Sequence, residues 1–144
     1  MTDHLSNSYD LLIVDRNMVD RSRIERSVAV NFWKIVHAET CEQAVELCRQ
    51  QKFSVIIIEA EPHDTDIIPS LRAMRQSEGL SHAATIIAMS TFESGSFDVL
   101  LTQSGADTYV TKPIHEKDLP SIIKKVSKNR AKAQKTEHLI FGKD

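Results

Sequence analysis

The sequence predicts a three-layer α/β/α fold built on a five-stranded parallel sheet. Two observations carry this. Five short runs rich in β-branched residues alternate with five stretches of helical length. Three of the runs are apolar nearly throughout, as strands covered on both faces must be. A chain of 144 residues can build one such domain with a real core and is too short for two.

The strands are expected at residues 11–14 (LLIV), 34–37 (KIVH), 55–58 (VIII), 85–89 (TIIAM) and 108–110 (TYV). The first helix carries Ile24, Val28 and Phe32 at four-residue steps, which places them on one face. The second begins at Thr40, with Gln43 three residues on as the partner of a capping box. The third starts near Asp66 and confines Pro69 to its first turn, where a missing N–H costs nothing. The fourth follows Ser96 and stops at Ser104-Gly105, because glycine takes the left-handed conformation at a helix end without strain. The fifth sets Leu119, Ile122, Ile123 and Val126 on one face, with Pro120 near its start.

Composition narrows the setting. The chain is 41% hydrophobic and 26% charged with a formal net charge of -2, which does not mark the whole molecule as a nucleic-acid binder. Its basic residues Lys117, Lys124, Lys125, Lys128, Arg130, Lys132 and Lys135 crowd one end, so residues 1–127 read as the domain and 128–144 as a basic helical extension or tail. That extension reads as a solvated helix face, with nucleic-acid binding as the alternative. The short apolar cluster His138-Leu139-Ile140-Phe141 is read as docking on the domain or a partner, or as the start of a linker. No apolar run reaches the roughly 20 residues of a membrane-spanning helix, and residues 1–8 lack the pattern of a secretory signal, so a cytoplasmic protein without a membrane partner is expected. Cys41 and Cys48 fall seven apart on one helix, about 10.5 Å along its axis and beyond disulfide reach, which reads as free thiols in a reducing compartment.

In open α/β sheets the loops at the carboxyl ends of the strands build the site. Those ends hold Asp15-Arg16, Glu59, Ser90-Thr91 and Lys112-Pro113. The order acidic, acidic, hydroxyl, Lys-Pro, spread over about residues 9–126, resembles the receiver domain of two-component response regulators. The resemblance implies a flavodoxin-like (CheY-like) (βα)5 fold. It also implies a site in which a histidine kinase phosphorylates an aspartate after the third strand, and Mg²⁺ binds that aspartate and an acidic pair after the first. A hydroxyl and the lysine would then hold the phosphoryl oxygens, while an aromatic residue three before the lysine changes rotamer. On this resemblance Asp15 matches the first acid of the pair, Ser90 the hydroxyl, Lys112 the lysine, Tyr109 the aromatic switch partner of Ser90, and Pro113 a cis proline.

Two positions depart. Arg16 stands where the second metal-binding acid belongs, and Glu59 stands where the phosphoacceptor belongs, or Ile58 if the register slips by one. Pro62 follows one residue early, and Thr91 replaces a small residue and narrows access. Asp15 and Glu59 against Arg16 and Lys112 leave no excess negative charge, so no metal and no cofactor are expected. The guanidinium of Arg16 is expected to take the metal's place between the carboxylates, or else to point into solvent. Glu59 reads as an inert structural residue, with a phosphate-mimicking role as the alternative. Asp64 and Asp66, past Pro62, read as solvated or helix-capping.

Other chemistry finds no support. His4, His37, His63, His82, His115 and His138 have no metal-ligand spacing. The loop of residues 90–96 follows the fourth strand, and the first loop holds no glycine, which argues against a flavin. No phosphate-binding lysine loop or nucleophile elbow occurs. The reading is a non-enzymatic, non-phosphorylatable receiver domain in two-component signalling that acts through protein contacts. Its expected partners are a histidine kinase, an output protein or a second copy through the fourth helix, fifth strand and fifth helix. The alternatives are a working phospho-accepting regulator with an unusual acceptor, and a nucleic-acid-binding regulator using the basic tail.

Overall fold

The computed structural model describes residues 9–29, 33–91 and 95–141, with side chains described through residue 136. The strands are β1 (Asp10–Val14), β2 (Lys34–Ala38), β3 (Val55–Glu59), β4 (Thr85–Ser90) and β5 (Thr108–Thr111). They alternate with α1 (Met18–Ala29), α2 (Cys41–Gln50), α3 (Ile67–Met74), α4 (Gly95–Ser104) and α5 (Leu119–Phe141). All pairings are parallel and the sheet order is β2-β1-β3-β4-β5. This is the flavodoxin-like arrangement expected from the sequence.

Two-residue alternation along the strands sorts the core into two layers. Leu12, Val14, Ile56, Ile58, Ile86 and Ala88 face Ala44 and Cys48 of α2, Leu71 and Met74 of α3, and Leu101 of α4. Leu11, Ile13, Val55, Ile57, Ile87 and Met89 face Ile24 and Val28 of α1, and Leu119 and Ile123 of α5. The central strands β1, β3 and β4 are buried almost throughout, whereas the edge strands β2 and β5 are only partly covered. Ile58 is wholly buried and pairs with Val14, so the slipped register that would put it at the site does not occur. Phe32, expected on the buried face of α1, lies outside the described residues.

The helix ends follow their side chains. Thr40 caps α2, its hydroxyl accepting from the Gln43 N–H at 3.1 Å, and the Gln43 amide oxygen accepts from the Glu39 N–H at 2.9 Å. Asp66 precedes α3 but makes no side-chain cap bond, and the Asp64 carboxylate instead accepts the Asp66 N–H at 3.0 Å. Helix α4 begins at Gly95, one residue before Ser96, and ends at Gly105, whose φ of +134° an L side chain rarely adopts. A Cβ there would also sit 3.3 Å from the Leu71 carbonyl oxygen.

Helix α5 runs without a break through the expected boundary at residues 127–128. It is pinned where it crosses that boundary. The Asp107 carboxylate binds Arg130 at 2.8 Å, Arg75 at 2.9 Å and the Ile86 N–H at 2.8 Å. Arg130 also donates to the Ala83 carbonyl at 3.0 Å. No helix among the described residues is long and apolar enough to cross a membrane.

Cys41 and Cys48 are free and buried in α2. Burial pushes the Cys48 thiol up to about 11 and raises that of Cys41. Both thiols are therefore expected to react slowly with iodoacetamide at about pH 8 in the native protein and rapidly in urea. Fast labelling of the native protein at Cys48 would contradict this packing.

Candidate functional site

The site is assembled at the carboxyl ends of β1, β3, β4 and β5, and its centre is one ammonium group. Lys112 follows β5 and is fixed at its backbone by a 2.7 Å bond from its N–H to the Ser90 carbonyl. Its Nζ donates to Asp15 Oδ2 at 2.9 Å, to Asp20 Oδ2 at 2.9 Å and to Glu59 Oε2 at 3.3 Å. These three bonds use all three ammonium hydrogens. The Lys112 side chain is only 8% exposed. Burial alone would lower its pKa, but the bonds to Asp15 and Asp20 and the charges of Asp15 and Glu59 outweigh it and hold Lys112 above the usual lysine range.

Each carboxylate has a local reason for its aim. Asp15 is buried directly after β1, and its other oxygen accepts the Asn17 N–H at 2.9 Å. Asn17 in turn accepts the Asp20 N–H at 3.0 Å and so caps the start of α1. That cap places Asp20 in the first helical turn, where its carboxylate reaches Lys112. Glu59 is the last residue of β3 and is partly exposed.

A second cluster lies beside the first. The Glu61 carboxylate accepts from the Thr91 N–H and from Thr91 Oγ1, each at 3.0 Å. The Ser90 hydroxyl also bonds to it. Burial would raise the Glu61 pKa, but the bonds from Ser90 and Thr91 and the nearby charge of Lys112 prevail and hold it below the usual carboxylate range. Lys112-Pro113 is a cis peptide.

Arg16 corrects the expected charge balance. It is 70% exposed and turned outward, and its one ion pair among the described residues is a 3.7 Å contact to Asp64. Its neighbour Asp15 points inward, and the chain bends at Arg16 just past the end of β1. The pocket therefore holds Asp15, Asp20 and Glu59 on Lys112, an excess of two formal negative charges rather than none, while Arg21 bonds the Asp15 carbonyl, not its carboxylate, at 2.7 Å. The three carboxylates lie within 4.8 Å of one another and offer oxygen ligands to a hard divalent cation. The expectation that such an ion has no reason to bind loses its basis.

The sequence profile of the response regulator receiver domain matches residues 11–124. The chain belongs to that family. It is similar to the transcriptional regulatory protein AfsQ1 of Streptomyces coelicolor, 26% identical over 133 residues that cover 92% of this chain and 56% of that protein. It is also similar to the sensor histidine kinase GacS of Pseudomonas protegens, 26% identical over 80% of this chain and 13% of that protein. The chain thus spans about half the length of one relative and a small part of the other. A CheY-like receiver domain protein from Methanospirillum hungatei superimposes with a TM-score of 0.75 at 19% identity, over 86% of this chain and 97% of that one. The receiver domain of a Luxo repressor protein from Vibrio parahaemolyticus gives 0.74 at 22% identity, over 92% and 97%. At these identities the two structures speak for the fold.

Within this receiver domain the fold brings Asp15, Glu59, Ser90, Thr91, Lys112 and Pro113 to one end of the sheet and leaves Arg16 outside. Tyr109 packs edge-on against Phe97 with ring centroids 6.4 Å apart, and its buried hydroxyl has no hydrogen-bond partner among the described residues. Asp20 and Glu61 escaped the sequence reading. The signal for Asp20 was its place three residues after the capping Asn17. The signal for Glu61 was its place two residues after Glu59, on the same side of extended chain.

Replacing Lys112 with Met leaves Asp15 buried without its cation and is expected to cost about 3–5 kcal/mol by urea unfolding at pH 7. The sign with pH follows by linkage. In the wild type, the raised Lys112 pKa gives stabilisation that is complete below the unfolded lysine value and is lost only as pH rises through the folded value. A loss under about 1 kcal/mol would contradict the geometry. Arg16→Ala should change stability by less than about 0.5 kcal/mol, as exposed pairs do.

Proposed function

We propose that this chain is a non-enzymatic receiver module that passes signals through protein contacts without itself being phosphorylated. One observation carries the reading. The groups that would grip a phosphoryl oxygen are already bound to the chain's own carboxylates: Lys112 to Asp15, Asp20 and Glu59, and Ser90 and Thr91 to Glu61. Where the family places an aspartate acceptor, this chain has Glu59, one methylene longer. An incoming phosphoryl group would have to displace Glu61 and compete for Lys112, and each charge-assisted bond broken costs about 1.5–3 kcal/mol.

The family implies a divalent ion, and the donor set fits one. Asp15, Asp20 and Glu59 would hold Mg²⁺, and the ion would supply positive charge to offset the excess of carboxylates. Such an ion would compete with Lys112 for the same oxygens. Its binding is compatible with a receiver that takes up no phosphoryl group.

The partner surface proposed is α4, β5 and α5, for a histidine kinase, an output protein or a second copy. Val99 and Leu100 lie exposed on α4 there.

Incubation with acetyl phosphate and Mg²⁺ followed by intact-mass measurement tests the reading. The expected spectrum shows the unmodified mass alone, and an added phosphoryl group on a native side chain would refute the proposal. Glu59→Asp combined with Glu61→Gln should gain a phosphoryl adduct, because it restores the shorter acceptor and frees Ser90 and Thr91. Adding Arg16→Asp should change little, since Asp20 already supplies the second acid. Failure of the double variant to react, with its fold intact, would move the cause from these carboxylates to loop shape.

A further inference from the structure

From Leu119 to Thr136 helix α5 carries six basic residues and no acidic one. At about 100° per residue, Lys124, Lys125, Lys128, Lys132 and Lys135 fall within an arc of about 100°, and they run about 16 Å along the axis. Arg130 lies on the other side and is clamped to Asp107 and the Ala83 carbonyl. Leu119 and Ile123 are buried on that side as well. The five lysines therefore form a stripe on the face turned away from the body.

The stripe is electrostatically uncompensated. All five side chains are exposed, and among the described residues none takes part in an ion pair. Lys124, at the edge of the stripe, also lies over the Trp33 ring, 5.9 Å from its centroid. Lys124, Lys128 and Lys132 repel one another at four-residue spacing, and Lys125–Lys128 and Lys132–Lys135 do so at three. A merely solvated helix face is better served by mixed signs, so the pattern stores repulsion that an anionic partner would relieve. Beyond Arg130 the helix also leaves the body, with every side chain from Ala131 to Thr136 exposed.

We infer that this lysine stripe is a docking surface for the phosphate backbone of nucleic acid. Three features select that partner. Protein interfaces are depleted in lysine and anchored by aromatic or aliphatic side chains, and residues 128–136 expose no bulky apolar group. Within residues 128–136 nothing is available to insert among lipid acyl chains, and the apolar Leu139-Ile140-Phe141 further along the sequence are the residues a lipid surface would use, which the vesicle comparison below tests. Lysine acts as a point charge on phosphate without needing an apolar contact, and about 16 Å of helix matches roughly five phosphates of one strand at ~3.4 Å spacing. The contact would be independent of base sequence, because nothing on the stripe is shaped to read base edges. On this inference the basic segment takes the nucleic-acid alternative rather than the solvated-face reading.

The test is fluorescence anisotropy of a short labelled DNA duplex titrated with the whole chain at several salt concentrations between about 50 and 200 mM. Binding should weaken with salt, with log K falling by roughly 0.9 per lysine engaged for each tenfold rise in salt. The variant Lys128→Gln/Lys132→Gln/Lys135→Gln should shrink that slope by up to about 2.7, while the corresponding triple Lys→Arg variant should retain it. The urea midpoint shows that each variant is folded; the Gln variant should hold or slightly raise it, because it removes repelling neighbours. No binding at the lowest salt would overturn the inference, as would a slope unchanged in the Gln variant. Equal or tighter binding to phosphatidylglycerol vesicles than to the duplex would overturn it in favour of a membrane surface.

Discussion

The ammonium of Lys112 fastens three separate pieces of chain at the end of the sheet: the loop after β1 through Asp15, the first turn of α1 through Asp20, and the end of β3 through Glu59. A carboxylate as buried as Asp15 is costly unless paired and hydrogen-bonded. Here it receives both Lys112 and the Asn17 N–H. The cap that Asn17 provides to α1 also delivers Asp20 to the same cation, so helix initiation and site assembly are one event. The position of α1 on the sheet, and with it the packing of Ile24 and Val28 under Leu119 and Ile123, is tied to this cluster.

The chemistry follows from what is already satisfied. A receiver needs an acceptor, a cation and free donors for the phosphoryl oxygens. In this chain Glu61 takes the donors of Ser90 and Thr91 and bridges the loop after β3 to the end of β4. Glu61 rather than Glu59 is therefore the residue whose carboxylate sits among the hydroxyl and amide donors, and Glu59 contributes its charge to Lys112 instead. The pocket keeps an excess of negative charge, and its oxygen donors suit a divalent cation better than an anion.

Much of this was legible in the sequence, for identifiable reasons. The strands were readable because a parallel sheet covered on both faces demands near-continuous β-branched residues, and the cap at Thr40 and the stop at Gly105 were readable because each rests on local chemistry. The site was only half legible. Arg16 was taken into the pocket because it stands where the second metal-binding acid belongs, yet the bend after β1 leaves it exposed beside Asp64. Asp20 was overlooked because attention to strand ends misses a helix whose first turn leans back over them. Glu61 was overlooked for Pro62 beside it, although two-residue spacing from Glu59 put it on the same side. The C-terminal charge pattern was visible in the sequence, but its confinement to one face depended on α5 continuing unbroken past Arg130.

The central claim is that the chain's own carboxylates occupy the phosphoryl-holding groups. Amide NMR spectra recorded with Mg²⁺ alone and then with Mg²⁺ and beryllofluoride test it most directly, read at the Thr91 amide and at Tyr109. Mg²⁺ is expected to perturb the amides around Asp15, Asp20 and Glu59, and beryllofluoride to add no change at Thr91 or Tyr109. A saturable beryllofluoride-dependent shift of the Thr91 amide would contradict it, because that donor would then have exchanged Glu61 for an external anion.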